Sequence, residues 1–138
     1  MKDFIVMLAI LPLLIIFVFQ FACDYRGFEE VQAVENIVYE AGEKARQEGG
    51  FGSETIAGIR SEIAKHMGTD ESEVEISVSA GAGEVGRFDD ERLIYYTVTV
   101  EVPEAMAGGN LLKLKDAENR RKIKVSGYLA SEYVGGYI

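Results

Sequence analysis

The amino-acid sequence predicts an α+β protein in which a long N-terminal α-helix, apolar in its first half, carries a small globular head. Three observations support this prediction. An apolar run from Phe4 to Cys23 opens a chain whose remainder is rich in charged residues. Apolar residues at helical spacing continue beyond that run, and later segments alternate between apolar and polar residues as β-strands do. We therefore expect the helix over residues 1–47. Over residues 48–138 we expect a head with one short helix and a three- or four-stranded antiparallel sheet.

Length, charge and cysteine content limit the classes of protein to which this chain can belong. With 138 residues the chain has the size of one domain. Its net charge of −9 gives it a surface that repels phosphate backbones, so we expect no nucleic-acid partner. The single cysteine excludes an intrachain disulfide and a zinc site built from cysteine pairs.

The apolar run, FIVMLAILPLLIIFVFQFAC, has the length of a membrane-spanning helix. About 19 residues at a rise of about 1.5 Å each give about 29 Å, close to the hydrocarbon thickness of a bilayer. A cleaved secretory signal has instead a basic N-terminal region and a shorter apolar region. Here Lys2 and Asp3 cancel, and Gln20 stands where a lipoprotein signal ending at Cys23 requires a leucine-like residue. We therefore expect the segment to be retained, either as a membrane anchor or as the core of a larger assembly.

The helical pattern continues after the apolar run. Apolar residues recur at spacings of three and four, the stripe of an amphipathic helix, at Val31, Val34, Val38, Ala41 and Ala45. The next strong stop is EGGFGS at residues 48–53. Gly27 and Gly42 each cost about 1 kcal/mol relative to alanine. We predict that the helix continues to about Gln47, with a kink or looser turn at Pro12, because proline removes one backbone hydrogen bond.

The head begins with a second, shorter helix in SETIAGIRSEIAKHMG. Ser53 is predicted to be its N-cap, and Gly68 is predicted to end it. Its apolar face is formed by Ile56, Ile59, Ile63 and Met67.

Three later segments alternate as β-strands do, and LLKLKD at residues 111–116 does so weakly. The alternating apolar residues are Val74, Ile76 and Val78 in EVEISVSA, Tyr96, Val98, Val100 and Val102 in RLIYYTVTVEV, and Ile123, Val125 and Leu129 in RKIKVSGYLASEYV. Pro103 is predicted to end the second strand. The glycine-rich stretches AGAGEVG and AGGN are predicted to be loops between strands.

This layout resembles that of type IV pilins, and within that group the short TadE-like pilin relatives. The features that carry the resemblance are the helix from Phe4 to about Gln47, the GGFGSET turn into a second helix, and EVEISVSA followed by alternating strands. The resemblance implies a structural subunit of a helical extracellular filament that serves adhesion or surface interaction. It implies the cytoplasmic membrane as the location before assembly, and other copies of the chain and a pilus assembly machinery as partners.

The resemblance also implies roles for individual residues. In pilin filaments the N-terminal helices pack against one another in the core, and the residues that we expect to pack in this way are Phe4, Leu8, Leu11, Pro12, Ile15, Val18, Phe19, Ala22, Val31, Val34 and Val38. Many pilins have a glutamate at the fifth mature position that pairs with a neighbour's N-terminal amine. This chain has Ile5 there and its nearest acid is Asp3, which we expect to serve that purpose. The basic leader of type IV pilins is absent, so the chain is expected to be either the processed form or a protein exported by another route.

Charges are segregated within the head, and this pattern has two readings. Residues 70–91 contain eight acidic residues and one basic residue, whereas residues 113–124 contain six basic and two acidic residues. In one reading these are solvated faces, paired in part within one sheet. In the other, neighbouring subunits contact each other through residues such as Asp89, Asp90, Lys113, Arg120 and Arg121.

The sequence offers little for catalysis. His66 has no companion cysteine or histidine, and the acidic residues 70–75 lack the ligand pattern of an EF-hand. No serine-hydrolase elbow, P-loop or H-E-x-x-H motif is present. We therefore expect neither an enzyme nor a cofactor or metal site. Cys23 is expected to be a small buried apolar residue, with a lipid or intersubunit link as the alternative.

Two other functions are consistent with the same layout. The chain could be a single-pass membrane protein whose acidic extracytoplasmic head binds a partner, or a minor pseudopilin that primes a filament or secretion machine. The stripe from Val31 to Ala45 favours an oligomer over a solitary anchor, because a lone stalk would leave that stripe exposed. The head could itself cover part of the stripe, which keeps the anchor hypothesis open.

Overall fold

A computed structural model describes residues 1–103, 113, 115 and 118–135 of the chain. It has the predicted α+β fold. The elements are two α-helices, α1 (Lys2–Glu48) and α2 (Ser53–Met67), a short 3₁₀ turn (Glu71–Glu73), and strands β1 (Val74–Val78), β2 (Leu93–Pro103) and β3 (Arg120–Ala130). The strands form one antiparallel sheet in the order β1-β2-β3. The weak strand prediction at residues 111–116 lies largely outside the described residues.

The chain divides into two compact units. Unit 1 comprises Met1–Glu30 and Val102–Arg121, and unit 2 comprises Val31–Glu101 and Lys122–Ile138. The division therefore falls within α1, whereas the sequence-based boundary was placed after residue 47. Nearly all of the net charge belongs to unit 2, which contains sixteen acidic and eight basic residues, against seven acidic and six basic residues in unit 1.

Helix α1 ends where its glycines begin. Gly49 and Gly50 follow Glu48 with φ angles of 74° and 151°, which side chains with a Cβ adopt only at a cost. The predicted end of the helix near Gln47 is therefore confirmed. Pro12 lies inside the helix, which continues on both sides of it.

The core of unit 2 is built from α1, α2 and one face of the sheet. Val34 and Val38 of α1 are 0% and 1% exposed, and Ile59 and Ile63 of α2 are buried with them. The other buried apolar residues of this unit are Ala45, Phe51, Ala64, Val74, Ala80, Ile94, Val98, Val100, Ile123 and Val125. Alternate residues of each strand enter this core, as the pattern of the sequence predicts.

Helix α2 begins differently from the prediction. Gly52, with an extended backbone (φ −66°, ψ 156°), occupies the N-cap position, and no side chain caps the helix. The prediction of Ser53 as the N-cap is wrong, because Ser53 is already the first helical residue. The first hydrogen bond of the helix runs from the backbone N–H of Ile56 to the Gly52 carbonyl at 3.0 Å, as expected when Gly52 is the N-cap. The C-terminal prediction is confirmed, since Gly68 adopts φ 66° and its N–H donates to Ala64.

Contacts between side chains show how β2 pairs with its neighbours. β1 and β2 are antiparallel, from Val74 opposite Val100 to Val78 opposite Tyr96. On the other side of β2, the Tyr95 and Tyr128 rings lie 6.2 Å apart, and Lys122 Nζ lies 2.9 Å from Glu101 Oε1. Tyr95 and Glu101 are six residues apart in β2, and their partners Tyr128 and Lys122 are six residues apart in the opposite direction in β3. These two contacts fit one antiparallel register without a bulge between them.

Two glycine-rich stretches dock against each other beside the end of α1. Backbone N–H groups of Phe51, Gly83 and Val85 donate to the carbonyls of Ala80 (3.0 Å), Glu48 (2.7 Å) and Gly49 (3.0 Å), respectively. A Cβ at Gly50 would overlap the Gly81 carbonyl, so only glycine allows this close approach of backbones. Backbone hydrogen bonds therefore hold the predicted loop AGAGEVG to the rest of unit 2.

Arg46 holds the segment after β3 to the end of α1. Its guanidinium pairs with Glu43 at 2.9 Å and with Glu132, and its Nε donates to the Ala130 carbonyl at 3.3 Å. The Glu132 N–H returns a hydrogen bond to the Arg46 carbonyl at 2.8 Å. The hydrogen bond to Glu43, followed by the charge of Glu132, raises the pKa of Arg46.

Replacing Gly50 by alanine tests the glycine junction. Because Gly50 has φ 151° and its Cβ would meet backbone atoms, we expect Gly50→Ala to lower the free energy of unfolding by about 2–3 kcal/mol. Gly58→Ala is the matched control, since Gly58 lies in α2 with nothing within 4 Å of a new Cβ. That change should raise stability by about 0.5–1 kcal/mol. Urea unfolding of the full chain in detergent, followed by tyrosine fluorescence, measures the free energy of unfolding of both variants. A Gly50→Ala variant as stable as the native chain would contradict the proposed role of the junction.

Candidate functional site

The most distinctive surface of the chain is the apolar segment, Phe4 to Cys23, in the first half of α1. Among the described residues, α1 is the one helix long and apolar enough to cross a membrane, with a mean hydropathy of 2.9 over its most apolar window and none of that window buried. Individual side chains are correspondingly open, as Phe4 (69%), Leu13 (67%) and Phe21 (71%) illustrate. Exposed apolar surface on this scale requires a partner, either lipid or protein.

Polar contacts begin at the end of the apolar segment. The Gln20 amide donates to the Asp24 carboxylate at 3.1 Å, one turn along the helix. Arg26 then pairs with Glu30 at 3.3 Å, again one turn on. At a rise of about 1.5 Å per residue, the whole apolar segment, Phe4 to Cys23, spans about 30 Å, the thickness of a bilayer's hydrocarbon core. The sharp change from apolar to charged residues is typical of a membrane boundary.

The predicted packing residues of α1 fall into two groups in the structure. The residues Phe4, Leu8, Leu11, Pro12, Ile15, Val18, Phe19 and Ala22 are all exposed and available for contacts with other molecules. Val34 and Val38 are instead buried in unit 2, and Val31 is half-buried. The amphipathic stripe is thus covered within a single chain, so it no longer favours an oligomer over a solitary anchor.

Gly27 allows a close contact with a residue distant in the sequence. The Arg121 guanidinium occupies the space that a Cβ at position 27 would take. The same guanidinium pairs with Glu30 at 2.9 Å, and Glu30 also pairs with Arg26. Arg121 therefore has a carboxylate partner in its own chain, and the expectation that it contacts another subunit stays a prediction. A glycine inside a helix was the available signal, since such a residue often marks a close approach.

The other predicted charge contacts have different surroundings. The Asp89 carboxylate accepts a hydrogen bond from the Gly86 N–H at 2.5 Å, which places it in a turn of its own chain. Asp90 and Lys113 are exposed, and Lys113 has a φ angle of 57°. Arg120, also exposed, has interactions within the chain. The pairing of Lys122 with Glu101 at 2.9 Å fits the reading in which opposite charges meet within one sheet.

The remaining predicted residues lie apart from one another. Asp3 is exposed and lines a shallow groove of about 340 Å³ along the apolar segment with Val6, Met7, Ile10, Leu11 and Leu14. His66 is exposed on α2, and Cys23 is a half-buried free thiol. In the part of the chain that the structure describes, no group of three or more His, Cys, Asp or Glu side chains could hold a metal ion.

No protein-family model, no curated protein and no solved structure matches this chain.

The ion pair on the outer face of the sheet can be tested by titration. The hydrogen bond to Glu101, followed by its charge and more weakly that of Glu75, raises the pKa of Lys122 above its ordinary 10.5. A raised pKa of a cation means that its contribution to stability is fully present below the ordinary pKa and is lost as the pH rises through the folded-state value. We expect Glu101→Gln to lower the Lys122 pKa and Glu75→Gln to lower it less. NMR titration of ¹⁵N-labelled lysine side chains above pH 9 measures both, and equal effects of the two changes would show that the contact with Glu101 does not form.

Proposed function

We propose that this protein is a structural, non-enzymatic subunit that is inserted in a membrane by its apolar segment and assembles into a helical extracellular filament of type IV pilin-like architecture. The observation that carries the proposal is the largely exposed apolar segment at the start of a helix whose second half contributes Val34 and Val38 to the core of unit 2. The segment is therefore surplus to the folding of unit 2, and its surface is suited to contacts with lipid or with copies of itself.

The energetics of assembly follow from the composition of the segment. In a bilayer its backbone is satisfied by its own helical hydrogen bonds. Moving from lipid to a bundle of identical helices exchanges one apolar environment for another, so hydrophobic burial contributes little to the transfer. Side-chain packing in the bundle then decides whether helices associate. A face of bulky residues, with Leu8, Leu11 and Ile15 at its centre, is well suited to such packing.

The acidic surface of unit 2 fits a position in water. Sixteen acidic and eight basic residues give it a net negative charge that favours solubility and opposes indiscriminate association. In a filament, we propose that this unit faces solvent around a core of apolar segments. A contact that joins two different surfaces of the chain does not close on itself and gives an open helical polymer.

A second candidate function is a single-pass membrane protein whose acidic extracytoplasmic head binds a partner, or a minor pseudopilin. The burial of Val34 and Val38 within one chain favours this candidate, because it removes the need for a neighbour along the second half of α1. Both candidates place the apolar segment in the cytoplasmic membrane before any assembly.

Electron microscopy of material sheared from producing cells, with mass spectrometry of the intact subunit, separates these functions. The filament proposal predicts thin helical filaments composed of this chain with its apolar segment retained. Recovery of the chain as a monomer from detergent-extracted membranes, with none in the sheared fraction, would overturn the proposal and support the membrane anchor.

A pair of alanine variants tests packing separately from membrane insertion. Ile15 is one of the predicted packing residues of the apolar segment, whereas Leu13 is not one of them and lies on the opposite side of that segment, because residues in a helix advance by about 100° each. We expect Ile15→Ala to reduce the yield of sheared filaments at least tenfold, and Leu13→Ala to leave it within about twofold. Both variants lose similar apolar surface, so equal losses would point to insertion rather than packing. Membrane levels of the unassembled chain, measured by immunoblotting, control for expression.

A further inference from the structure

An exposed aromatic side chain projects from a hydrogen-bonded acidic loop of unit 2. This aromatic loop comprises residues 86–91, and its Phe88 side chain is 65% exposed. The only other phenylalanine of unit 2, Phe51, is 2% exposed. Three carboxylates, those of Asp89, Asp90 and Glu91, follow Phe88 directly in the sequence. An apolar anchor beside several charges is the composition of a binding hot spot and its rim.

Hydrogen bonds hold the aromatic loop in place. The Gly86 N–H donates to the Asp89 carboxylate at 2.5 Å, and the Asp89 N–H donates to the Gly86 carbonyl at 3.3 Å. The Arg87 N–H donates to the Tyr133 carbonyl at 2.8 Å. Phe88 is therefore presented by a fixed backbone, which reduces the entropy that is lost when it binds.

A groove between α1 and α2 has complementary properties. This interhelix groove has a volume of about 570 Å³ and is lined by Ala33, Asn36, Ile37, Glu62, Lys65 and His66. Ala33 and Ile37 are half-buried, whereas the four polar residues are exposed. The groove thus offers apolar contact between polar edges, and its volume lies within the range of about 300–1,000 Å³ of typical binding pockets.

We propose that the aromatic loop of one copy of the chain docks in the interhelix groove of a second copy. Phe88 lies against Ala33 and Ile37, and Lys65 faces the carboxylates beside Phe88. Arg87, whose guanidinium carbon lies 5.9 Å from the Phe88 ring centre, faces Glu62. Opposite charges thus meet on both sides of the anchor, which favours this register over others.

The choice of a second copy follows from the presence of both surfaces on one chain. Because the loop and the groove are different surfaces, their contact is head-to-tail and leaves one of each free on every added copy. This is the geometry that a filament requires, and to that extent the inference rests on the proposed function. The six residues of the aromatic loop are few beside the roughly 20–30 residues that each partner contributes to a stable interface. The contact would therefore act mainly when the apolar segments already hold the copies close together.

Cysteine cross-linking between two variants tests this contact. In a Cys23→Ala background, one chain carries Asp90→Cys and the other Asn36→Cys, so Phe88, Ile37 and Lys65 stay intact. Under mild oxidation of filaments containing both chains, we expect a disulfide-linked dimer from the mixture and none from either chain alone. Such a bond forms only when the two Cα atoms come within about 7 Å.

Matched variants show whether the anchor residue is responsible. Adding Phe88→Ala to the Asp90→Cys chain should lower the yield of linked dimer at least tenfold. Adding Tyr128→Ala should leave the yield of linked dimer unchanged. Tyr128 is the matched control because it is also an aromatic residue and is 67% exposed, on the outer face of the sheet. Circular dichroism of each variant verifies the fold. Linked dimer that persists with Phe88→Ala would overturn the inference.

The outcomes separate this inference from the proposed function. Filaments that form without linked dimer would overturn the docking contact and leave the filament proposal standing. Linked dimer formed in detergent by a chain that makes no filaments would support docking and overturn the filament proposal. A chain that yields neither filaments nor linked dimer would overturn both.

Discussion

The burial of the second half of α1 in unit 2 is the constraint on which the rest of the structure depends. Val34 and Val38, one helical turn apart, are buried in unit 2, and Gly42 lies where the Leu129 side chain approaches, 2.9 Å from the position of a Cβ. None of the buried apolar residues that the structure describes lies in residues 4–23. The exposed apolar surface is therefore concentrated in one segment, and the central functional question is whether lipid or a helix bundle covers it.

Glycine has three distinct physical uses in this chain, only one of which sequence reasoning identified. Gly68 ends α2 in a left-handed conformation, as its position after the last apolar residue of the helix predicts. Gly27 and Gly42 weaken α1 locally but admit Arg121 and Leu129. Gly50 combines a positive φ with a backbone contact to Gly81. Local sequence propensity predicts the helix-ending role of Gly68. The roles of the other glycines depend on contacts with residues far away in the sequence.

The same distinction explains how much of the structure could be predicted. Periodicities of 3.6 and 2 are local properties, and they located α1, α2 and all three strands to within a few residues. The N-cap prediction at Ser53 failed because a preferred capping residue and an extended glycine are adjacent in the sequence, and Gly52 occupies the N-cap position. Pairings such as Arg121 with Glu30 and Arg46 with Glu132 join residues 91 and 86 positions apart. No local pattern encodes such contacts, so the charge segregation alone left their partners undetermined.

The charges also decide what kind of association this chain can undergo. Several basic side chains of the strands and helices are already paired within the chain, as Lys122 is with Glu101 and Arg46 is with Glu43. Exposed pairs of this kind contribute little to stability because water and salt screen them, and the surplus of carboxylates on unit 2 makes like surfaces repel. If copies associate as we propose, their attraction has to come from apolar packing and from the few places where opposite charges flank an apolar anchor. The proposed assembly would then owe its strength to the shape of the apolar segment and its register to unit 2, so separate substitutions would change the two properties.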